Sequence, residues 1–222
     1  LREGGEDPVA ISCDALQVYE GLSTLTGVAS AEERDRLEHR LVEFVPVGEK
    51  FDVGQYMPLA HREIDAGLAG GRRPIVVGGT GLYLRAALAE LSLVKAPPES
   101  EDSELWSPQT RHPTAIFGIS MERQRLYERI DARTAAIFAG GACEEVVRAE
   151  TLGPSRTARV ALGFDEVLSG DLAAMQKRSR NYARRQLTWM RKIPNLRWIE
   201  RGARDDAAVA AEIFTQISKM DR

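Results

Sequence analysis

Arg72-Arg73-Pro74-Ile75-Val76-Val77-Gly78-Gly79-Thr80-Gly81-Leu82-Tyr83-Leu84 is the stretch that decides the fold. A run of Pro and β-branched residues, then glycines, then an amphipathic stretch reads as strand, tight turn and helix. Strand and helix alternate through residue 90, which predicts an α/β class with a parallel sheet flanked by helices. Ligands of such sheets bind beyond the carboxyl ends of the strands, and Thr80 falls at one such end. Pro8-Val9-Ala10-Ile11-Ser12 reads as a second buried strand, ended by Cys13-Asp14, so Asp14 is expected at a neighbouring end.

Working outward, segment 31–41 reads as exposed helix or loop and Val42 to Pro46 as a short strand. Phe51-Asp52-Val53 opens a helix in which Tyr56, Leu59, Ala60, Ile64 and Leu68 recur at helical spacing, closed by Gly70-Gly71. Residues 95–112 dissolve into Pro, Ser, Glu and Asp, with Trp106 the large apolar anchor after Leu105, and read as a linker. A strand is expected over Thr114–Ser120, a long helix over Glu122–Phe138, further helix over 142–150 and 158–168, and a last strong element from Ala173 to about Lys192. The expected division is 1–94 for the first part of the core, 95–112 for the linker, and 113–222 for the remainder with a basic helical region.

With 222 residues, a net charge of −3, 43% hydrophobic and 28% charged residues, the chain has the composition of a soluble globular protein with a real core. It contains no run of about 18 uncharged apolar residues, so no membrane span is expected. Leu1 to Asp7 lacks the pattern of a secretory signal, and a cytoplasmic protein is expected. Cys13 and Cys143 stand beside Asp14 and Glu144 in no CxxC spacing, which speaks against a disulfide framework or a zinc site. His39, His61 and His112 are scattered, so no metal ligands are assigned.

Gly78-Gly79-Thr80-Gly81 between a strand and a helix offers backbone N–H groups at a helix amino terminus, suited to an anion such as a diphosphate. The same glycines could equally serve only to let the helix pack against the strand, and the sequence leaves both readings open. No GK[ST] loop exists in the chain. Asp14 is either a general base or a cap of the following turn, with Gln17 and Tyr19 nearby as hydrogen-bonding and stacking groups.

The run 176–192 contains no acid. On a helical wheel Tyr182, Ala183, Leu187, Trp189 and Met190 share one half, and Lys177, Arg178, Arg180, Arg184, Arg185, Arg191 and Lys192 the other. Such a basic face repels itself unless an anion sits against it, which suits phosphate or RNA; a merely solvated face is the alternative. Arg111, Arg156 and Arg159 are candidates to extend the patch.

Three segments together resemble the tRNA dimethylallyltransferases. They are Ile11-Ser12-Cys13-Asp14-Ala15-Leu16-Gln17-Val18-Tyr19 with Gly21; Pro74 to Tyr83; and Ala161-Leu162-Gly163-Phe164-Asp165-Glu166 with Tyr182-Ala183-Arg184-Arg185-Gln186-Leu187-Thr188-Trp189. The resemblance covers most of the chain except roughly 95–112 and implies a P-loop-NTPase-like sheet. It implies transfer of a dimethylallyl group from dimethylallyl diphosphate to N6 of adenosine-37 beside the tRNA anticodon. Asp14 would be the general base and Thr80 would lie at the reacting centre. Asp14, Ala15, Leu16, Gln17, Arg159, Gly163, Arg180, Arg184, Arg185 and Gln186 would meet tRNA, and Gly78, Gly79, Thr80 and Gly81 the diphosphate. Mg²⁺ is the implied cofactor, the tRNA anticodon stem-loop and dimethylallyl diphosphate are the implied partners, and a monomer is expected.

Two departures stand against the family pattern. The family's phosphate-binding loop precedes the strand ending in Asp14, and this chain starts inside or after the helix that follows such a loop. The family's helical insertion is replaced by Pro97 to Pro108. Either the protein is a shortened relative or the sequence is part of a longer molecule. An RNA-binding remnant without transferase activity is therefore the second expectation, and a nucleotide or small-molecule kinase the third.

Overall fold

The computed structural model describes residues 5–92 and 104–220. The order is β1 (Pro8–Ser12), α1 (Ser23–Thr26), α2 (Ala31–Arg36), β2 (His39–Arg40), α3 (Val53–Ala69), β3 (Arg73–Val77) and α4 (Gly81–Leu88). After a single helical turn at 104–106 come β4 (Ile116–Ser120), α5 (Arg123–Ala139), α6 (Ala142–Thr151), α7 (Arg156–Arg159), α8 (Phe164–Ser169), α9 (Leu172–Met190), β5 (Leu196–Glu200) and α10 (Asp206–Met220). Every strand pair is parallel, as expected for this class.

The strands form two separate sheets, ordered β2-β1-β3 and β4-β5. β1 lies between β2 and β3 and is buried along its whole length, whereas β3 and β4 each leave one edge unpaired among the described residues. Those two edges face a common cleft of about 740 Å³, lined by Val77, Phe117 and Ile119 from the strands and by Ile213 and Ile217 from α10. Val77 is 54% exposed and Ile119 52%.

Local sequence explains the elements that matter for the site. Asp52 opens α3 with a capping box: its carboxylate accepts from the Gly54 and Gln55 amides, and the Gln55 side chain returns a bond to the Asp52 amide. Tyr56, Ala60 and Ile64 then bury one face of that helix against the sheet. The core runs from Ile11 through Tyr56, Tyr83 and Ala86 into a helical half containing Leu25, Val146, Phe164 and Met175. Within that helical half Glu145 accepts from the Thr24 and Leu25 amides at 2.9 and 3.0 Å, which satisfies the amino end of α1.

Side chains, not strand hydrogen bonds, tie the two sheets together. Asp65 on α3 accepts from Arg111 and meets His112, both in the segment leading to β4. Arg85 on α4, 1% exposed, donates to the carbonyls of Ser107 and Gln109 at 2.8 and 3.5 Å. Trp106 packs against Trp189 of α9 in a tilted contact at 4.6 Å, with the Lys192 ammonium 5.2 Å from the Trp106 ring.

Three expectations are corrected. The strand expected over Val42–Pro46 is instead His39–Arg40, because Leu41 and Glu43 take φ of 59° and 49°, which no strand accommodates; Val45 keeps one isolated bridge to Tyr19. The helix expected over 158–168 is two short helices divided at Gly163, whose φ is 101°. Regular structure also continues past Lys192 into β5 and α10. Residues 95–103 of the expected linker lie outside the described residues.

Candidate active site at the strand ends

The carboxyl ends of β1 and β3 are stitched by the Cys13 amide, which donates to the Val77 carbonyl at 2.8 Å. That pairing puts the turn after β1 against the turn after β3. Asp14 does cap its own turn: one carboxylate oxygen, Oδ1, accepts from the Leu16 amide at 2.8 Å and the Gln17 amide at 3.4 Å. Oδ2 takes no hydrogen bond among the described residues, so capping leaves one oxygen available as a proton acceptor. The two readings of Asp14 are therefore compatible.

Thr80 stands at the N-cap of α4 without capping it. Its Oγ1 instead accepts from the Ala15 amide at 3.3 Å, which sets the hydroxyl beside the Asp14 turn. The amides of the first turn of α4 are thus left for another acceptor. Gln17, by contrast, spends its side chain internally: its amide donates to the Gly27 carbonyl at 3.0 Å, and its Oε1 accepts from Ser12 Oγ at 3.0 Å. Ala15 and Leu16 are half-buried and pack on the core.

Cys13 lies under the turn, fully buried. Burial, reinforced by the neighbouring Asp14 charge, pushes its thiol up to about 12, so it packs as a neutral group. Burial raises the Tyr56 and Tyr83 phenols as well.

The glycines of the turn are fixed by close approach. A Cβ at Gly78 would stand 2.7 Å from Cys13 Sγ, one at Gly79 1.9 Å from Gln186 Nε2, and one at Gly81 2.1 Å from the Trp189 ring. The last two neighbours belong to α9, as does Tyr182, whose phenol lies near Thr80 and Gln186 and is raised by burial. Tyr182, Gln186 and Trp189, at i, i+4 and i+7, form one stripe of the helix seated on Gly78–Gly81. No site role was read for Tyr182 or Trp189 in the sequence, although that spacing, set against a glycine turn, is a legible signal.

The opposite face of α9 is basic, but less uniformly than the wheel suggests. Arg178 pairs with Glu166 on α8 at 3.0 Å, and Arg180 with Asp131 on α5, so the missing acids come from other helices. Arg159 pairs with Glu150 and Asp165, and Arg111 with Asp65 and Glu90. Lys177, Arg184, Arg185 and Arg191 are exposed and make no ion pair among the described residues. Gly163 is buried, and a side chain there would strike Met175 at 2.5 Å. The structure therefore gathers Asp14, Thr80, Gly79 and Gln186 at one place and sets Arg184 and Arg185 on the outer side of the same helix.

The model of the IPP transferase family matches residues 17–111 and 95–193. The chain belongs to the IPP transferase family. The two matches of the family model meet over 95–111, within the stretch read as a linker. A tRNA dimethylallyltransferase of Koribacter versatilis is 31% identical over 95% of this chain and 89% of its own length, in an alignment of 281 residues, longer than the chain itself. Among solved structures, a full-length tRNA isopentenylpyrophosphate transferase of Bacillus halodurans is similar at a TM-score of 0.84 and 24% identity, covering 97% of this chain and 89% of that one. A tRNA delta(2)-isopentenylpyrophosphate transferase of Staphylococcus epidermidis gives 0.82 and 22%, covering 98% and 92%. These family structures share the fold, and no helix among the described residues is long and apolar enough to cross a membrane.

Proposed function

We infer that the chain is a tRNA dimethylallyltransferase that moves a dimethylallyl group from dimethylallyl diphosphate to N6 of the adenosine beside the anticodon. The observation that carries this reading is Asp14, with one free carboxylate oxygen, held beside Thr80 and the open amino end of α4. In the reaction the N6 lone pair forms a bond to C1 of the dimethylallyl group, the C1–O bond breaks, and the diphosphate leaves with the electron pair. Asp14 Oδ2 takes the N6 proton. The amides at 79–81 and the Thr80 hydroxyl face the charge that develops on the leaving group.

The exposed cations Lys177, Arg184, Arg185 and Arg191 suit the phosphates of an anticodon stem, which leaves the target base to be presented to Asp14 out of its stack. The reading takes the protein as a cytoplasmic monomer. Mg²⁺ is the cofactor implied for such chemistry. The described residues gather no three His, Cys, Asp or Glu side chains able to hold a metal ion, and the carboxylate beside Thr80 is already assigned to the proton. The described residues therefore offer no protein-built Mg²⁺ site.

The test is transfer of a labelled dimethylallyl group to an anticodon stem-loop. Asp14→Ala is expected to lower the rate by about 10²–10⁴-fold, the usual contribution of a positioned base. An unchanged rate would remove Asp14 from this role. A second reading, RNA binding without transfer, is favoured by the exposed cations Lys177, Arg184, Arg185 and Arg191, which suit phosphates whether or not transfer follows. Stem-loop binding by a wild-type chain that transfers nothing would establish it in place of the first.

A further inference from the structure

We propose that Gln186 is a positioning residue for the Gly78–Gly81 turn and not a contact to RNA; this deepens the transferase reading and rests on it. Gln186 Nε2 donates to the Gly79 carbonyl at 3.0 Å. The Gly79 carbonyl and the Thr80 N–H belong to one planar peptide and point in opposite directions. By drawing the carbonyl toward α9, Gln186 turns the Thr80 amide away from α9, to the side from which a leaving group approaches. It thereby also fixes where the Thr80 hydroxyl begins, next to the Ala15 amide and Tyr182.

The neighbours of Gln186 agree with that assignment. Arg184 and Arg185 immediately before it are exposed, while Gln186 is half-buried within the stripe that includes Tyr182 and Trp189. Gly79 is the reciprocal half of the contact. Its φ is not among the positive values in the chain, so its backbone would accept alanine, and the obstacle to a Cβ there is the Gln186 amide at 1.9 Å. A Cβ at Gly79 would push the flexible end of Gln186 aside, so the glycine is what lets this hydrogen bond form.

The experiment compares Gln186→Ala, Gly79→Ala, the double variant and Arg185→Ala in the full chain. Single-turnover transfer and equilibrium binding of a tRNA anticodon stem-loop are both measured. For Gln186→Ala, kcat is expected to fall by about 10-fold, with KM and Kd for the stem-loop within about two-fold of wild type, the signature of an interaction made in the transition state only. Arg185→Ala is expected to weaken stem-loop binding instead. Gly79→Ala is expected to lose more activity than Gln186→Ala, and the double variant to recover part of that loss.

Weakened stem-loop binding by Gln186→Ala with kcat retained would overturn the proposal, as would a double variant worse than Gly79→Ala. If the wild-type chain transfers nothing, the transferase reading fails separately. The proposal is then decided by stem-loop Kd and by melting: a double variant that melts above Gly79→Ala supports the contact, and one that melts at or below it refutes it.

Discussion

β1 of the first sheet and β4 of the second are similarly apolar strands, yet β1 is buried throughout while β4 is half-exposed. The difference comes from neighbours rather than composition. β1 has a strand on each side and α3 packed against it, whereas β3 and β4 each turn one edge toward the open cleft. A run such as Val76-Val77 or Ile116-Phe117 states that a strand will form, but not how much water it will lose. The two halves behave as a closed part and an open part clamped together by side chains.

The largest test of that contrast is a pair of truncations. Ile11→Ala in the closed sheet is expected to lower unfolding free energy by about 3–4 kcal/mol, and Ile119→Ala at the open edge by less than about 1 kcal/mol, read from denaturant melts. Equal losses would break the comparison. Next comes the clamp: Arg85→Ala strips two carbonyls of their donor and leaves a hole where a long side chain was, at a cost of roughly 2–3 kcal/mol.

A smaller effect is expected from the Asp65 clamp, through pH. The Arg111 guanidinium, and then His112, lower the Asp65 carboxyl from 3.8 to about 2. A lowered folded-state value stabilises above the unfolded-state value, so this contribution is intact above about pH 4 and is lost as pH falls toward 2. Asp65→Asn should therefore flatten the acid limb of the melting profile over that window while changing little of its shape at neutral pH; an unaltered acid limb would show that the clamp does not join the halves. The smallest test perturbs nothing. At pH 8 a disulfide reagent should label Cys143 quickly and spare Cys13 until the closed half unfolds.

Much of the closed half is legible in the sequence. The Asp52 and Gln55 box, the Tyr56-Ala60-Ile64 stripe and the Pro74-to-Gly81 transition are local signals, and local physics decides them. The division of the strands into two sheets is not legible, because which edge a strand pairs with is a tertiary choice. β5 and α10 carry weaker signals: Leu196-Arg197-Trp198-Ile199-Glu200 buries only Ile199 and shows no continuous apolar run. At the candidate site, strand ends collect ligands, which singles out Asp14 and Thr80 in the sequence, and the structure sets their turns side by side. The acids that neutralise Arg178 and Arg180 lie on other helices, where a helical wheel cannot see them.

The pairing of β4 with β5 has a consequence in time. Ile116 is aligned with Leu196, and all of α5 to α9 lies between the two strands, while Glu145 reaches back to Thr24 and Leu25. Contacts between residues so distant along the chain reward the polypeptide only after a long loop has been ordered, which slows folding. The closed sheet, whose strands all lie within the first 77 residues, can assemble early, and the β4-β5 pair must wait for nearly the whole chain. Until then β4 has no strand beside it, and refolding at high protein concentration should show its concentration-dependent losses in that interval.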